Sequence, residues 1–307
     1  MLSKKSINGI ESLEEEDIKL VLANADSFLE ISGRDVKKVP VLRGKTIANL
    51  FFEPSTRTKT SFEIAAKRLS ADIINFSSST SSVVKGESVI DTIKTILSMK
   101  VDMIIMRHSD SGAVKMADNF VEVPVINAGD GKNQHPTQAL LDLYTIKKVF
   151  GEFKGLKVAI VGDFVNSRVA GSDIELFEKM GMKVTVVSPT MLLPEDFSKM
   201  DVRHCIDDVI EESDIIYILR MQFERQDRKF YPSVMEYKQF LSLNMERLCR
   251  MKAGSIVMHP GPVNRGIEIT DEVMETGGKL KEKIVIERQV TYGVAVRMAL
   301  IYLILGQ

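Results

Sequence analysis

Cysteine is scarce in this chain. Its 307 residues contain two, Cys205 and Cys249, in neither metal-binding nor redox spacing, so a disulfide framework is not expected. Buried free thiols in a reducing cytoplasm are. Histidine is nearly as sparse, with four residues at 108, 135, 204 and 259. No His-x-x-x-His or Cys-x-x-Cys pair occurs, and no metal site is expected. Charge of one sign is missing too. Lys and Arg number 41 against 42 Asp and Glu, a formal net charge of −1, which lacks the footprint of a nucleic-acid binder. Met1 to Ser6 carry no apolar secretory segment. The most apolar stretch, Val290 to Leu305, is short for a membrane span and holds Arg297 in its middle, so it reads as a buried terminal helix rather than a membrane element.

Familiar catalytic signatures are missing as well. The turn Gly162-Asp163-Phe164-Val165-Asn166-Ser167-Arg168 has one glycine where a dinucleotide fingerprint needs three, and no Gly-x-x-x-x-Gly-Lys-Ser/Thr loop is present. No Ser-His-Asp, Cys-His or paired-acid arrangement stands out. No cofactor is expected, and the chemistry must come from positioning and electrostatics.

What is present is a soluble globular composition, 44% hydrophobic and 27% charged, in a chain long enough for two domains. Ser12 with Glu15 forms a capping box ahead of a helical pattern from about Glu14 to Ile31. Strand signals follow at Thr46–Phe52, Asp72–Phe76, Asp102–Met106 and Glu122–Asn127, the last weakened by Pro124 or starting at an edge. Helical patterns fill 58–70, 87–99 and 110–119. A second series has strands at Leu156–Gly162, Lys183–Val187, Asp214–Leu219 and Ser255–His259. A helix from Pro136 to Phe150 separates the series and ends in the glycine-flanked stretch 151–155. This predicts an α/β protein of two doubly wound domains, 1–150 and 151–288, each with a mainly parallel sheet flanked by helices.

Ligands of such sheets gather at the carboxyl ends of the strands, and the chemically distinctive residues lie there. Ser55, Thr56, Arg57 and Thr58 join the first strand to a helix start, where free backbone N–H groups and the helix dipole suit a phosphate; an ordinary capped loop is the plainer reading. Arg107 ends the third strand as a second anion clamp or as a solvated charge. His135 and Gln138, three apart on one helix face, can address one small polar group, unless the histidine is structural. The polar run Ser77 to Glu87 reads as a surface loop or as a lid delivering Lys85 on a Gly86 pivot. Arg220 and Gln222 share a side if their strand continues and together suit a carboxylate; the alternative is a surface ion-pair network with Glu224. Two sheets aimed at one cleft would assemble these groups into a site.

Together these segments resemble the aspartate/ornithine carbamoyltransferase superfamily over essentially the full length. The matching stretches are Phe-Glu-Pro-Ser-Thr-Arg-Thr (52–58), Lys-Gly-Glu (85–87), Arg-His (107–108), His-Pro-Thr-Gln-Ala-Leu-Leu-Asp (135–142), Arg168, Arg-Met-Gln-Phe-Glu-Arg (220–225) and His-Pro-Gly-Pro-Val-Asn-Arg-Gly (259–266). Ornithine-specific members would read Ser-Met-Gly and His-Cys-Leu-Pro where this chain has Arg220-Met-Gln and His259-Pro-Gly-Pro. The resemblance is therefore to the aspartate-specific branch.

The resemblance implies transfer of the carbamoyl group of carbamoyl phosphate to L-aspartate, an early step of pyrimidine synthesis. It implies that Ser55, Thr56, Arg57 and Thr58 hold phosphate, and that Arg107, Thr58 and His135 act on the carbamoyl oxygen. Gln138 and the turn Pro260-Gly261-Pro262 would take the carbamoyl amide, and Arg168, Arg220 and Gln222 would grip aspartate. Ser81, toward carbamoyl phosphate, and Lys85, toward aspartate and the chemistry, would arrive from a neighbouring subunit of a homotrimer, the terminal helix (about 289–307) would return to the first domain, and a regulatory chain or a dihydroorotase could join the assembly. Three alternatives stay open: a carbamoyltransferase for another amino acid such as ornithine, a non-catalytic sensor of phosphate ligands on the same fold, and a dehydrogenase, already weakened by the missing glycines.

Overall fold

The computed structural model describes residues 2–77, 88–222 and 233–306. The chain forms two compact units, Met1–Tyr144 with Thr291–Gln307, and Thr145–Val290.

In the first unit a short 3-10 turn, Ile10–Ser12, leads into helix α1 (Glu15–Ser32). The expected Ser12–Glu15 box does not form. Leu13 is buried and extended, so the helix begins one step later, with the Asp17 carboxylate accepting from the Glu14 N–H at 3.2 Å. Strand β1 (Thr46–Phe51) is followed by α2 (Thr56–Arg68), β2 (Asp72–Ser77), α3 (Val89–Ser98), β3 (Met103–His108), α4 (Ala113–Asp118), β4 (Val125–Asp130) and α5 (Pro136–Phe150). The strands lie in the order β2-β1-β3-β4, each pair parallel. Their apolar residues pack with α3 and α4 in a core that includes Leu50, Ile93, Ile104, Met106 and Val114. Pro124 stands just before edge strand β4. It lacks an N–H, but its carbonyl still accepts from Ile104.

The second unit contains β5 (Lys157–Val161), α6 (Arg168–Lys179), β6 (Lys183–Val187), β7 (Asp201–Arg203), β8 (Ile215–Ile218), α7 (Val234–Leu241), α8 (Met245–Arg250), β9 (Ile256–Met258), α9 (Asp271–Met274) and α10 (Gly278–Lys283). Its sheet order is β7-β6-β5-β8-β9, again parallel throughout. Helix α11 (Ile286–Leu305) ends the chain, and the division between the units falls inside both α5 and α11. By length and composition α11 could cross a membrane. In the first unit its residues Ala295, Val296, Met298, Ala299, Leu300 and Ile301 are buried, and Tyr302 meets Phe28 edge to face with centroids 5.6 Å apart.

Two strand orders reverse at one place each. The first sheet winds outward from between β1 and β3, the second from between β5 and β8. Such reversals open a crevice at the carboxyl ends of the two central strands. Those four ends carry the loop 52–58, Arg107, the turn 162–168 and the segment 219–222.

Candidate active site

Helix α2 starts at Thr56, with Ser55 extended at its N-cap and making no side-chain cap hydrogen bond. Its apolar stripe, Phe62, Ala65 and Ala66 with Thr58, is buried. Burial of Phe62 alone is worth about 1.5–3 kcal/mol, and it holds the first turn of the helix at the end of β1. Thr58 is buried and Arg57 exposed at that turn.

Arg107 lies within β3 rather than after it, because the ladder with β1 continues to the Phe51–Arg107 pair. Its Nε stands 3.0 Å from the Glu53 carboxylate, and a terminal N–H donates to the Ala128 carbonyl at 3.2 Å. The guanidinium is thereby oriented from two sides at the mouth of the β1–β3 crevice.

His135 enters from the next connection. Buried Asp130 shapes this turn by accepting from the backbone N–H groups of Gly112 (2.7 Å) and Gln134 (3.1 Å) and from the side chain of Asn127 (2.9 Å). Pro136 opens α5, as its fixed φ favours. His135 is buried, and burial holds its pKa well below the usual 6.5, reinforced by the positive charges of Arg107 and Arg297. A neutral imidazole results. Gln138 donates its amide to both oxygens of Asp142, at 3.2 and 3.0 Å, which turns its carbonyl oxygen away from that carboxylate as an acceptor. Arg297 completes this part of the first unit. It is buried, donates to Ser61 Oγ at 2.8 Å and lies 5.1 Å from the Phe62 ring centroid. Burial brings its pKa down to about 10.

In the second unit Gly162 makes the sharp exit from β5 with φ of 132°. A Cβ there would approach the Leu219 side chain to 3.1 Å. Asp163 accepts from the Asn166 backbone (3.1 Å) and side chain (2.8 Å), and the Ser167 hydroxyl caps α6 at Ala170. Arg168 is buried in the first turn. Strand β8 stops at Ile218, so the expected strand alternation does not place Arg220 and Gln222. Coil geometry places Gln222: its amide donates to the Asn166 carbonyl at 3.1 Å, joining that segment to the Arg168 turn. The turn after β9 holds Pro260, Gly261 and Pro262, with a cis bond between Gly261 and Pro262.

Ser81, Lys85, Gly86 and Glu224 lie outside the described residues. The cysteines are free as expected but not buried: Cys205 is half-buried and Cys249 exposed. Sequence reasoning gave Glu53, Asp130 and Arg297 no role, because each is placed by a partner distant in sequence, Arg107, Gly112 and Ser61 respectively; it gave Asp142 none although its partner Gln138 is four residues away on the same helix. Only the His-Pro-Thr-Gln-Ala-Leu-Leu-Asp stretch carried a hint of Asp142. Among the described residues, no group of three or more His, Cys, Asp and Glu side chains could hold a metal ion.

These features define a two-unit α/β protein of the doubly wound class, with cationic, amide-bearing groups at both sheet reversals. Residues 5–148 match the aspartate/ornithine carbamoyltransferase carbamoyl-P binding domain, and residues 154–304 match the Asp/Orn binding domain of that family. The chain is 50% identical over 305 residues to the aspartate carbamoyltransferase catalytic subunit of Syntrophus aciditrophicus, covering 99% of this chain and 98% of the relative. It is 49% identical to that of Halothermothrix orenii, covering 100% and 97%. Among solved structures, aspartate transcarbamoylase from Trypanosoma cruzi in complex with N-(phosphonacetyl)-L-aspartic acid superposes with a TM-score of 0.88 at 31% identity, covering 98% and 96%. The catalytic subunit of M. Jannaschii aspartate transcarbamoylase gives 0.84 at 34% identity, covering 98% of each chain. The chain belongs to the aspartate/ornithine carbamoyltransferase family.

Proposed function

We propose that this chain transfers the carbamoyl group of carbamoyl phosphate to L-aspartate, giving N-carbamoyl-L-aspartate and phosphate. The observation that carries the choice of acceptor is Gln222, two residues from Arg220, whose amide is tied to the Arg168 turn. Two arginines and an amide suit a second carboxylate and repel the side-chain ammonium of ornithine. A non-catalytic sensor would need the phosphate set but not this acceptor set.

Ser55, Thr56, Arg57 and Thr58 take the phosphate at the first turn of α2, where backbone N–H groups have no intrahelical partner. The free amine of aspartate attacks the carbamoyl carbon, and the carbonyl oxygen becomes an oxyanion. Arg107, Thr58 and neutral His135 donate to that oxygen; His135 can donate while adding no charge of its own. The Gln138 carbonyl, with those of Pro260 and Gly261 beside Pro262, accepts from the carbamoyl NH2. The bond from carbon to the phosphate oxygen then breaks, and the departing phosphate takes the proton from the new C–N nitrogen. No protein nucleophile forms a covalent bond. Ser81 and Lys85 come from a neighbouring subunit of a cytoplasmic homotrimer, which works alone or with a regulatory chain or dihydroorotase.

The test is turnover of the purified chain with carbamoyl phosphate and each acceptor in turn. Carbamoylaspartate with aspartate, and no citrulline with ornithine, is expected. Citrulline, or no product at saturating substrates, would contradict the proposal.

A further inference from the structure

Four donors converge on one buried carboxylate in the second unit. Glu268 is fully buried. Its Oε1 accepts from the Met221 backbone N–H at 2.6 Å and from Asn264 Nδ2 at 2.6 Å. Its Oε2 accepts from the Asn264 backbone N–H at 2.8 Å and lies 2.9 Å from His259 Nε2. The Gly261 N–H donates to His259 Nδ1 at 2.8 Å, so the neutral ring carries its proton on Nε2 and donates it to Glu268. Asn264 Nδ2 also donates to the Met221 carbonyl at 2.9 Å. Together these contacts join the chain between Arg220 and Gln222, through Glu268, to the turn 259–264.

We infer that Glu268, with Asn264 and His259, is the positioning buckle of the acceptor half of the site, locking the backbone between the two aspartate-binding side chains to the Pro260–Gly261 turn. Met221 is held at both its N–H and its carbonyl, so the flanking Arg220 and Gln222 leave a backbone that cannot rotate. β8 has already ended at Ile218 and gives no ladder to do this work. The same carboxylate, through His259, fixes the N–H of Gly261. None of the three residues touches substrate in this reading; they act through the backbone. Only a carboxylate satisfies the arrangement, since an amide nitrogen on either side would face two N–H groups.

The inference rests on the aspartate reading, and Glu268→Gln separates the two. Hydrogen–deuterium exchange of the peptide containing Met221 reads the buckle itself, whether or not aspartate is the acceptor. Faster exchange there than in the wild type is expected. In the kinetic arm, the KM for aspartate should rise about tenfold, the scale of a small misplacement of binding groups, while the KM for carbamoyl phosphate rises clearly less, because loosening the Pro260–Gly261 turn costs it only the carbamoyl-amide contacts and leaves its phosphate contacts on α2 in place. Wild-type protein inert toward aspartate would sink the proposed function while leaving the exchange result to judge the buckle. Unchanged exchange at Met221 would overturn the buckle, as would a folded variant in which both KM values move equally. If Glu268→Gln does not fold, Asn264→Ala removes only the side-chain contacts of a half-buried residue. It should raise the aspartate KM about threefold or more with the same selectivity, and an aspartate KM equal to wild type would overturn the inference.

Discussion

At the scale of single residues, His135 is useful to a carbonyl reaction because it stays neutral. Burial, then Arg107 and Arg297, hold its folded pKa below 6.5. As pH falls past that value the unfolded chain takes the proton first, so folding stability drops with falling pH until the folded pKa is reached. His135→Gln removes this contribution. Its melting temperature should fall less steeply than the wild type's between about pH 6.5 and 5, and parallel curves would refute the assignment. Arg57 is exposed, so Arg57→Ala should abolish carbamoyl transfer while circular dichroism and melting temperature stay near wild type; wild-type turnover would remove it from the site. Arg107→Ala should lower kcat by about two to three decades as an oxyanion donor is lost. These arginines and hydroxyls were legible in sequence because each stands where a strand signal ends. Glu268 and Arg297 were not. The Glu268 bond to Met221 spans 47 residues and the Arg297 bond to Ser61 spans 236, and no local pattern encodes such pairings.

Among the elements, the central strands were easiest to read. Parallel strands covered on both faces appear as continuous apolar runs, and β1, β5, β6 and β8 fall within a residue or so of the expected bounds. β7 was missed: its three residues, Asp201–Arg203, sit at a sheet edge with no fully buried position. The start of α1 slipped because buried Leu13 overrides the Ser12 signal. Helix α2 connects core to chemistry, since Phe62 both anchors it and lies under Arg297. Phe62→Ala should cost about 3–5 kcal/mol, read from the urea midpoint. A loss below about 1 kcal/mol would show that the ring is not a core anchor.

For the whole molecule, the alternating strand and helix pattern foretold two parallel sheets flanked by helices, and each unit places charged or amide-bearing residues at its own sheet reversal. The proposed sharing of sites among subunits makes its own demand. Chains with Lys85→Ala mixed with chains with Arg57→Ala should regain activity, because a hybrid trimer contains an intact site; no recovery after proven subunit exchange would make each chain self-sufficient. The proposed carbamoyl transfer to aspartate requires arginines that neutralise a phosphoryl group and a dicarboxylate. A crystal structure with N-(phosphonacetyl)-L-aspartic acid tests that directly. The phosphonate should lie on Ser55 to Thr58 with Arg57, and a carboxylate on Arg220. A ligand that touches neither Arg57 nor Arg220 would contradict it.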